Sequence, residues 1–187
     1  MRIVGGKFRG RTLQTPQHDD VRPTSDRVRE SLFNILTHGI DDFDLEGARV
    51  LDLFAGTGAL GLEAISRGAG YCLFVENNPQ SRALIQHHIL EFGLGGISRI
   101  FRRDATDLGR ANERDVFDLV FLDPPYGMGL GERALQAVAN GGWLRAGGLA
   151  VIEEATENDI TLPPAFTELD RRTYGSTQIL MAQFTAG

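Results

Sequence analysis

The segment "VLDLFAGTGALGLEA" constrains the fold more than any other part of this chain. An apolar strand-like run ends in a loop with glycines at positions 56, 58 and 61, and the chain continues as an apolar helix. A G-x-G-x-x-G spacing directly after a strand is typical of the first β-α unit of a doubly wound sheet, where it admits a nucleoside-containing ligand. We therefore expect an α/β fold with a ligand site at Gly56, Gly58 and Gly61.

The rest of the chain supports a mostly parallel sheet with helices on both faces. From residue 48 onward, the strand-like runs "YCLFVE", "SRIFR", "FDLVFLD" and "LAVIEE" alternate with helical stretches. Such alternation is typical of a parallel sheet covered by helices. The tail "FTELDRRTYGSTQILMAQF" predicts two further strands joined at Gly175.

The first forty residues have a different pattern. "RIVGGKFRGRTLQ" predicts a β-hairpin with a tight turn at Gly5-Gly6, and "RPTSDRVRESLFNILTHG" predicts a helix over residues 25–38. We interpret residues 1–187 as one domain. It consists of a hairpin-plus-helix appendage, residues 1–40, and a ligand-binding core, residues 41–187.

Three acids at successive predicted strand ends bear on the identity of the ligand. Glu76 follows Gly56 by twenty residues, which suits ribose hydroxyls, but this leaves both NAD and S-adenosylmethionine possible. Asp52 lies inside the first strand, where a carboxylate suits the ammonium group of a methionyl moiety and would repel a pyrophosphate. Asp104 can accept a hydrogen bond from an adenine amino group. The acids favour S-adenosylmethionine.

The run "LVFLDPPY" ends a predicted strand on an acid, two prolines and an aromatic residue. The prolines stop the strand and stiffen its exit. Asp123 offers a carboxylate and Pro124 a fixed carbonyl, and together they can grip both N–H bonds of a conjugated amino group. Tyr126 offers a flat face on which a base can stack. This chemistry does not choose among adenine, cytosine, guanine and a glutamine amide.

Charge is unevenly distributed along the chain. The formal net charge is −6, yet residues 1–35 contain seven basic and four acidic side chains, so the remainder carries 12 basic and 21 acidic ones. A basic arm on an acidic body is typical of local phosphate contact, although a solvated hairpin edge would have the same pattern. The candidate contacts with nucleic-acid phosphates are Arg2, Lys7, Arg9, Arg11, Arg22, Arg27 and Arg29.

Several classes of protein are disfavoured. The one cysteine, Cys72, cannot form an intramolecular disulfide, and no apolar run reaches the length of a membrane span. The start of the chain lacks the apolar segment of a secretory signal. The adjacent His87 and His88 point to different sides of a predicted helix, so we expect no metal site there. A cytoplasmic protein is expected.

The motifs "DLFAGTGALGLEAISRGA", "VEN", "RRDA" and "LDPPYG", in this order, resemble those of the amino-methyltransferases that use S-adenosylmethionine. More narrowly, "RIVGGKFRGRTL", "RPTSDRVRESLFNIL" and "YGSTQI" resemble the bacterial 16S ribosomal RNA guanine-N2 methyltransferases of the RsmD type. The likeness runs nearly end to end, and "RPTSDRVRE" is its most specific element. At Tyr126 the chain departs from the many relatives that carry Phe there.

The resemblance implies a Rossmann-like class I methyltransferase fold, with a mostly parallel seven-stranded sheet and an antiparallel last strand. It implies methyl transfer from S-adenosylmethionine, without a metal, to N2 of a loop guanine in 16S RNA of the small ribosomal subunit or its assembly intermediate. S-adenosylhomocysteine is the product, and we expect a monomer. The implied cofactor residues are Asp52, Phe54, Ala55, Gly56, Thr57, Gly58, Glu76, Asn77, Asp104 and Ala105. The implied catalytic residues are Asp123, Pro124, Pro125 and Tyr126.

Three other interpretations remain open from the sequence. The same chemistry could act on a DNA base or a protein glutamine. An NAD-linked oxidoreductase could use the glycine loop, although "DPPY" and Asp104 would then have no role. A non-catalytic RNA-binding factor could retain the pocket.

Overall fold

The structure is a computed structural model that describes residues 1–16 and 25–185. Within these residues, seven strands form one sheet in the order β3-β2-β1-β4-β5-β7-β6. Strands β1 to β5 are parallel, and β7 runs antiparallel to both of its neighbours, β5 and β6. The strands are β1 Arg49–Leu53, β2 Tyr71–Val75, β3 Ser98–Phe101, β4 Phe117–Leu122, β5 Leu144–Ala155, β6 Phe166–Tyr174 and β7 Thr177–Phe184. The predicted sheet is confirmed.

Helices cover both faces of this sheet. The described helices are α1 Asp26–His38, α2 Ala59–Ser66, α3 Pro79–Glu91 and α4 Leu130–Gly141. Apolar residues of α1, α2 and α3 form one buried cluster with alternate strand residues such as Val50 and Phe121. The apolar face of α4 packs in a second cluster with the intervening residues Leu51 and Val120. The alternation follows from the two-residue period of a strand.

Two of the four described helices, α1 and α3, begin at a side-chain cap. Ser25 precedes α1 and its hydroxyl accepts a hydrogen bond from the Val28 N–H. Asn78 caps α3 in the same way, with Pro79 at the first helical position, where a missing N–H has no consequence. These caps fix the residues at which the two helices begin.

The N-terminal arm, residues 1–13, corrects one prediction. Arg2 and Thr12 pair as an antiparallel bridge, but the turn between them is a wider loop that contains a 3-10 turn over Gly6–Phe8. The prediction of a tight turn at Gly5-Gly6 is wrong. The N–H groups of Val4 and Gly5 donate instead to the Glu63 carboxylate, at 2.9 and 2.8 Å. The arm is thereby fastened to α2.

The arm also contributes to the main core. Ile3 and Leu13 are buried in the same cluster as Phe33 and Leu62. Residues 1–13 are therefore packed on the sheet domain rather than extended away from it. Among the helices of the described residues, none combines the length and apolar character needed to cross a membrane.

Candidate active site

The site lies where the direction of the strand order reverses. From β1 the chain proceeds to β2 and β3 on one side, and β4 returns to pair with the other side of β1. Open α/β sheets bind ligands at the carboxyl ends of the strands at such a switch point. A cavity of about 630 Å³ lies there, a volume typical of small-molecule sites.

Most predicted site residues line this cavity. The predicted residues in its wall are Phe54, Gly56, Glu76, Asn77, Asp104, Ala105, Asp123, Pro124, Pro125 and Tyr126. Ser81, Arg103 and Leu130 also line it and were not predicted. Arg103 is adjacent to Asp104 in "RRDA", so its position could have been anticipated from that motif. The predicted residues Asp52, Ala55, Thr57 and Gly58 are not among the lining residues.

The glycine loop requires its unusual backbone. Gly58 has a φ of 81° at the start of α2, and Phe54 also lies in the left-handed region, with a φ of 56°. A left-handed backbone at a bulky residue is costly, and such strain concentrates at functional sites. Phe54 is one of the residues that line the cavity.

Gly61 is needed for packing rather than for ligand contact. A Cβ atom at this position would lie 2.4 Å from Phe74 Cε1 and 2.6 Å from Cys72 Sγ. The third glycine of the loop therefore lets α2 approach β2 closely, which is the third of the roles such loops assign to glycine.

Glu76 connects the end of β2 to the glycine loop. Its Oε2 accepts the Gly56 N–H and its Oε1 accepts the Asn78 N–H, both at 2.8 Å. A carboxylate oxygen can accept more than one hydrogen bond, so the Glu76 carboxylate can still accept from ligand hydroxyls. The loop and the acid are thus one preformed unit.

Asp104 follows β3 and lines the same cavity as Glu76. Its Oδ1 accepts the N–H and the hydroxyl of Thr106, at 2.8 and 2.7 Å. These hydrogen bonds lower the pKa of the Asp104 carboxyl from its ordinary value, so it remains an ionised acceptor. Ala105 is buried beside it and forms part of the wall.

Asp52 lies behind the loop. Its side chain is 1% exposed, and its Oδ2 accepts the Gly61 N–H at 3.0 Å, which caps α2 from the neighbouring strand. Burial raises the pKa of the Asp52 carboxyl to about 8. The structure thus makes Asp52 a support for the helix start and does not bring it to the cavity wall.

Gln14, the residue that follows the N-terminal arm, and the glycine loop are joined through His88. The Gln14 N–H donates to His88 Nε2 at 2.9 Å, so the ring is neutral at that nitrogen and its Nδ1 donates to the Thr57 carbonyl at 3.1 Å. Burial of the ring lowers the pKa of His88 from its ordinary value, which favours this neutral form. Thr57 is buried by these contacts.

The segment Asp123–Tyr126 begins immediately after β4 ends at Leu122. Pro124 is buried, whereas Asp123 and Tyr126 are partly exposed to the cavity. The Tyr126 hydroxyl donates to Glu153 Oε1 at 2.5 Å and lies 3.3 Å from Thr177 Oγ1. Burial and the hydrogen bond to Glu153 raise the pKa of the Tyr126 hydroxyl, which stays neutral.

Glu153, Glu154 and Thr177 were not predicted as site residues. Glu153 and Glu154 could have been identified from the sequence, because "LAVIEEA" places two adjacent acids in a strand that is otherwise apolar. Acids are rarely buried unless they are paired. The pairing partner, however, is set by the alignment of β5 with β4 and β7.

The predicted RNA contacts divide into exposed and buried residues. Arg9 and Arg27 are exposed, and Arg2 forms an exposed ion pair with Asp26 at 2.9 Å. Arg11 pairs with Glu91 at 3.1 Å and lies over the Phe92 ring. Lys7 Nζ lies 4.9 Å from the centroid of the Phe8 ring.

Arg29 corrects another prediction. Its side chain is 1% exposed, and its guanidinium donates to Asp26 Oδ1 and to the Arg2 carbonyl. Arg29 therefore holds the arm to α1 and is not available to RNA. Arg22 lies outside the described residues. Among the residues that the structure describes, no group of three or more His, Cys, Asp or Glu side chains could hold a metal ion.

A sheet in this order, with an antiparallel β7 and a cavity at the β1–β4 switch point, is the class I methyltransferase fold. Residues 1–183 match the family model described as "Conserved hypothetical protein 95". The chain belongs to this family, which is the RsmD family that the sequence motifs indicate.

Individual relatives are similar over nearly the whole chain. "Ribosomal RNA small subunit methyltransferase D" of Escherichia coli K12 is 39% identical over 173 residues, which cover 91% of this chain and 83% of that protein. The solved structure of "Putative methyltransferase yhhF" from Escherichia coli is 31% identical, with a TM-score of 0.85, and covers 100% of this chain and 99% of its own.

A more distant structure shows the fold alone. An RNA methyltransferase from Salinibacter ruber, solved in complex with S-adenosyl-L-homocysteine, is 12% identical with a TM-score of 0.67. The alignment covers 88% of this chain and 95% of that one. The same sheet thus persists where little sequence identity remains.

Proposed function

We propose that this protein transfers a methyl group from S-adenosylmethionine to N2 of a loop guanine in 16S ribosomal RNA, within the small ribosomal subunit or its assembly intermediate. The observation that carries the proposal is that Asp123–Tyr126 lines the same cavity as Glu76 and Asp104. The residues proposed to hold the amino group therefore adjoin those proposed to hold the nucleoside. The choice of ribosomal RNA is supported by the name of the Escherichia coli K12 relative.

The cavity residues fit the proposed cofactor. The Glu76 carboxylate would accept the ribose hydroxyls, and Asp104 with the Ala105 backbone would hold the adenine. The methionyl end of S-adenosylmethionine is assigned to the loop from Phe54 to Gly58, and the buried Asp52 supports this loop from behind. When bound, S-adenosylmethionine supplies a methyl group that its sulfonium has already activated for transfer.

The acceptor amino group needs alignment more than a strong base. Its lone pair is delocalised into the ring of the base, which makes it a poor nucleophile. The Asp123 carboxylate and the Pro124 carbonyl would accept its two N–H bonds and favour a tetrahedral nitrogen that faces the methyl group. Once methylated, this nitrogen is strongly acidic, so the Asp123 carboxylate can take its proton. Alignment of donor and acceptor then supplies much of the barrier reduction.

The N-terminal arm would supply the contact with RNA. Lys7 and Arg9 are exposed on it, and Arg11 is about half exposed, whereas the rest of the chain is acidic. RNA loops offer unpaired bases that can be splayed out and stacked. We infer that residues 1–187 act as one domain and as a monomer in the cytoplasm, with residues 1–40 on the RNA and residues 41–187 in catalysis.

The test is methyl transfer with labelled S-adenosylmethionine to small subunits from cells that lack this protein, followed by mapping of the modified nucleotide. We expect label at N2 of one guanine. Duplex DNA and a glutamine-bearing protein are the parallel substrates. Label in either of these alone, binding of NADH but not S-adenosylmethionine, or RNA binding without transfer would each contradict the proposal.

A further inference from the structure

Two adjacent acids at the end of β5, Glu153 and Glu154, contact the loop that follows β4. Both side chains are 6% exposed. Leu122 pairs with Ile152 in the register of β4 and β5, so the next residues along the two strands are Asp123 and Glu153. The acids therefore lie beside the segment assigned to catalysis, although they are distant from it in sequence.

Glu153 and Thr177 hold the far end of the Tyr126 side chain. The Tyr126 hydroxyl donates to Glu153 Oε1 and lies within hydrogen-bonding distance of Thr177 Oγ1, on the neighbouring strand β7. A tyrosine ring is rigid and its hydroxyl lies on the ring axis. Fixing the hydroxyl therefore fixes the direction of the ring, which the backbone alone leaves free to change rotamer.

Glu154 holds the backbone on the other side of the same loop. The Gly127 N–H donates to Glu154 Oε1 and Oε2, at 3.1 and 3.2 Å. The Glu154 carboxylate is itself fixed, because Oε1 also accepts the Ala155 N–H and the Asn158 side-chain amide. Gly127 has a φ of 73°, a backbone that suits glycine.

We propose that Glu153 and Thr177 are positioning residues for the target base: they anchor the Tyr126 hydroxyl so that its ring forms a fixed stacking platform beside Asp123, while Glu154 fixes the loop backbone. This inference rests on the proposed function. It assigns a role to the hydroxyl as well as to the ring, so Phe and Tyr are not equivalent here. In a site that acts mainly by alignment, loosening the platform lowers the rate of the chemical step.

The principal variant is Tyr126→Phe, which removes one oxygen and keeps the ring. The matched control is Tyr174→Phe, because the Tyr174 hydroxyl also makes a side-chain hydrogen bond, 2.7 Å to Ser31 Oγ, away from the cavity. For each variant, the single-turnover rate of methyl transfer is measured with saturating small subunits and S-adenosylmethionine. The Kd for S-adenosylmethionine and the melting temperature are measured on the variant protein alone.

We expect Tyr126→Phe to lower the single-turnover rate about tenfold and to leave the Kd for S-adenosylmethionine within about twofold. Thr177→Val should lower the rate less, because its contact is longer. Tyr174→Phe should leave the rate unchanged even if its melting temperature falls, which separates positioning from stability. A Tyr126→Phe rate within about twofold of the natural protein would overturn the inference.

A double-mutant cycle tests whether the two side chains act through one bond. Glu153→Gln keeps an acceptor and should retain more of the rate than Glu153→Ala. In the Tyr126→Phe background, Glu153→Gln should cause little further loss, since the bond is already absent. If the two substitutions lower the rate independently, so that their effects multiply in the double variant, the result would count against the Glu153–Tyr126 hydrogen bond as the anchor of the ring. Absence of transfer by the natural protein would instead contradict the proposed function, so the two failures are distinguishable.

Discussion

The Gly5 N–H donates a hydrogen bond of 2.8 Å to the carboxylate of Glu63, a side chain with no exposed surface. The same carboxylate accepts the Val4 N–H and pairs with Arg67. One buried acid on α2 thus replaces the tight turn that the arm would otherwise need. The position of the basic arm relative to the cavity depends on this acid.

Glu63→Ala should destabilise the protein by about 3 kcal/mol, because it leaves the partly buried N–H groups of Val4 and Gly5 and the side chain of Arg67 without their acceptor. The free energy of unfolding is measured by chemical denaturation. Glu30→Ala, on the exposed side of α1, is the control and should change little. A loss no larger than that of the control would show that Glu63 does not hold the arm.

Gly61→Ala should destabilise the protein by about 1–3 kcal/mol through overpacking, although alanine is the better helix former. The new methyl group would meet Phe74 and Cys72. Gly95→Ala is the matched control, because a Cβ there meets nothing within 4 Å. Denaturation midpoints of the two variants give the comparison, and equal stabilities would contradict the close approach of α2 to β2.

Asp123→Ala should slow the chemical step about ten- to a few-hundredfold, since a hydrogen bond to a charged acceptor is lost. The Kd for S-adenosylmethionine should change little. Single-turnover methyl transfer and equilibrium binding measure the two effects separately. Asp41→Ala, an exposed acid near the start of the sheet domain, provides the control. A normal rate in the Asp123 variant would remove the carboxylate from the mechanism.

Arg9→Ala combined with Arg11→Ala should weaken binding of small subunits and reduce the dependence of log K on log salt by about one unit per residue. The Kd for S-adenosylmethionine should not move. Arg110→Ala serves as the control, because Arg110 is exposed next to Ala111, which bonds to Gly141 away from the cavity. An unaltered salt slope in the double variant would exclude the arm from phosphate contact.

Asp52→Asn should change how stability depends on pH. The pKa of Asp52 is raised to about 8 in the folded protein by burial, whereas it is about 4 when unfolded. Between these values the unfolded chain releases a proton that the folded chain retains. The contribution of Asp52 is therefore full below pH 4 and is lost as pH rises to about 8, at about 1.4 kcal/mol per pH unit.

Asparagine does not titrate, so Asp52→Asn should gain stability relative to the natural protein as pH rises from about 5 to about 8, with no further change above that. Melting or denaturation curves over this range, without cofactor, provide the measurement. A difference between the two proteins that stays constant with pH would mean that Asp52 is not buried as a neutral acid.

The parts of the fold that the sequence predicts are those set by local chemistry. The Ser25 cap, the Gly175 turn and the left-handed Gly58 at the start of α2 act on their own neighbours, so their patterns can be read directly. The arm is different. Its turn is decided by Glu63, a residue 58 positions away from Gly5, and no local propensity contains that information.

The helical spacing of Arg29 predicts that it is buried, but its positive charge led to its assignment as an RNA contact. The buried residues of α1 are Arg29, Leu32, Phe33 and Leu36, which is the spacing of one helix face. Helical periodicity therefore places Arg29 on the apolar face, and Asp26 one turn earlier supplies its partner. Counting positive charges without their helical positions assigned it wrongly to the RNA surface.

The switch point between β1 and β4 separates the residues assigned to the cofactor from those assigned to the acceptor amino group. Everything assigned to the cofactor comes from residues 52–105, and everything assigned to the acceptor amino group comes from residue 123 onward. Because the two sets come from opposite sides of the switch point, a change of acceptor can be confined to the loops after β4 and β5 while the nucleoside cradle stays intact. The architecture is therefore modular: the half that would hold the donor can stay unchanged while the half that would hold the acceptor is altered.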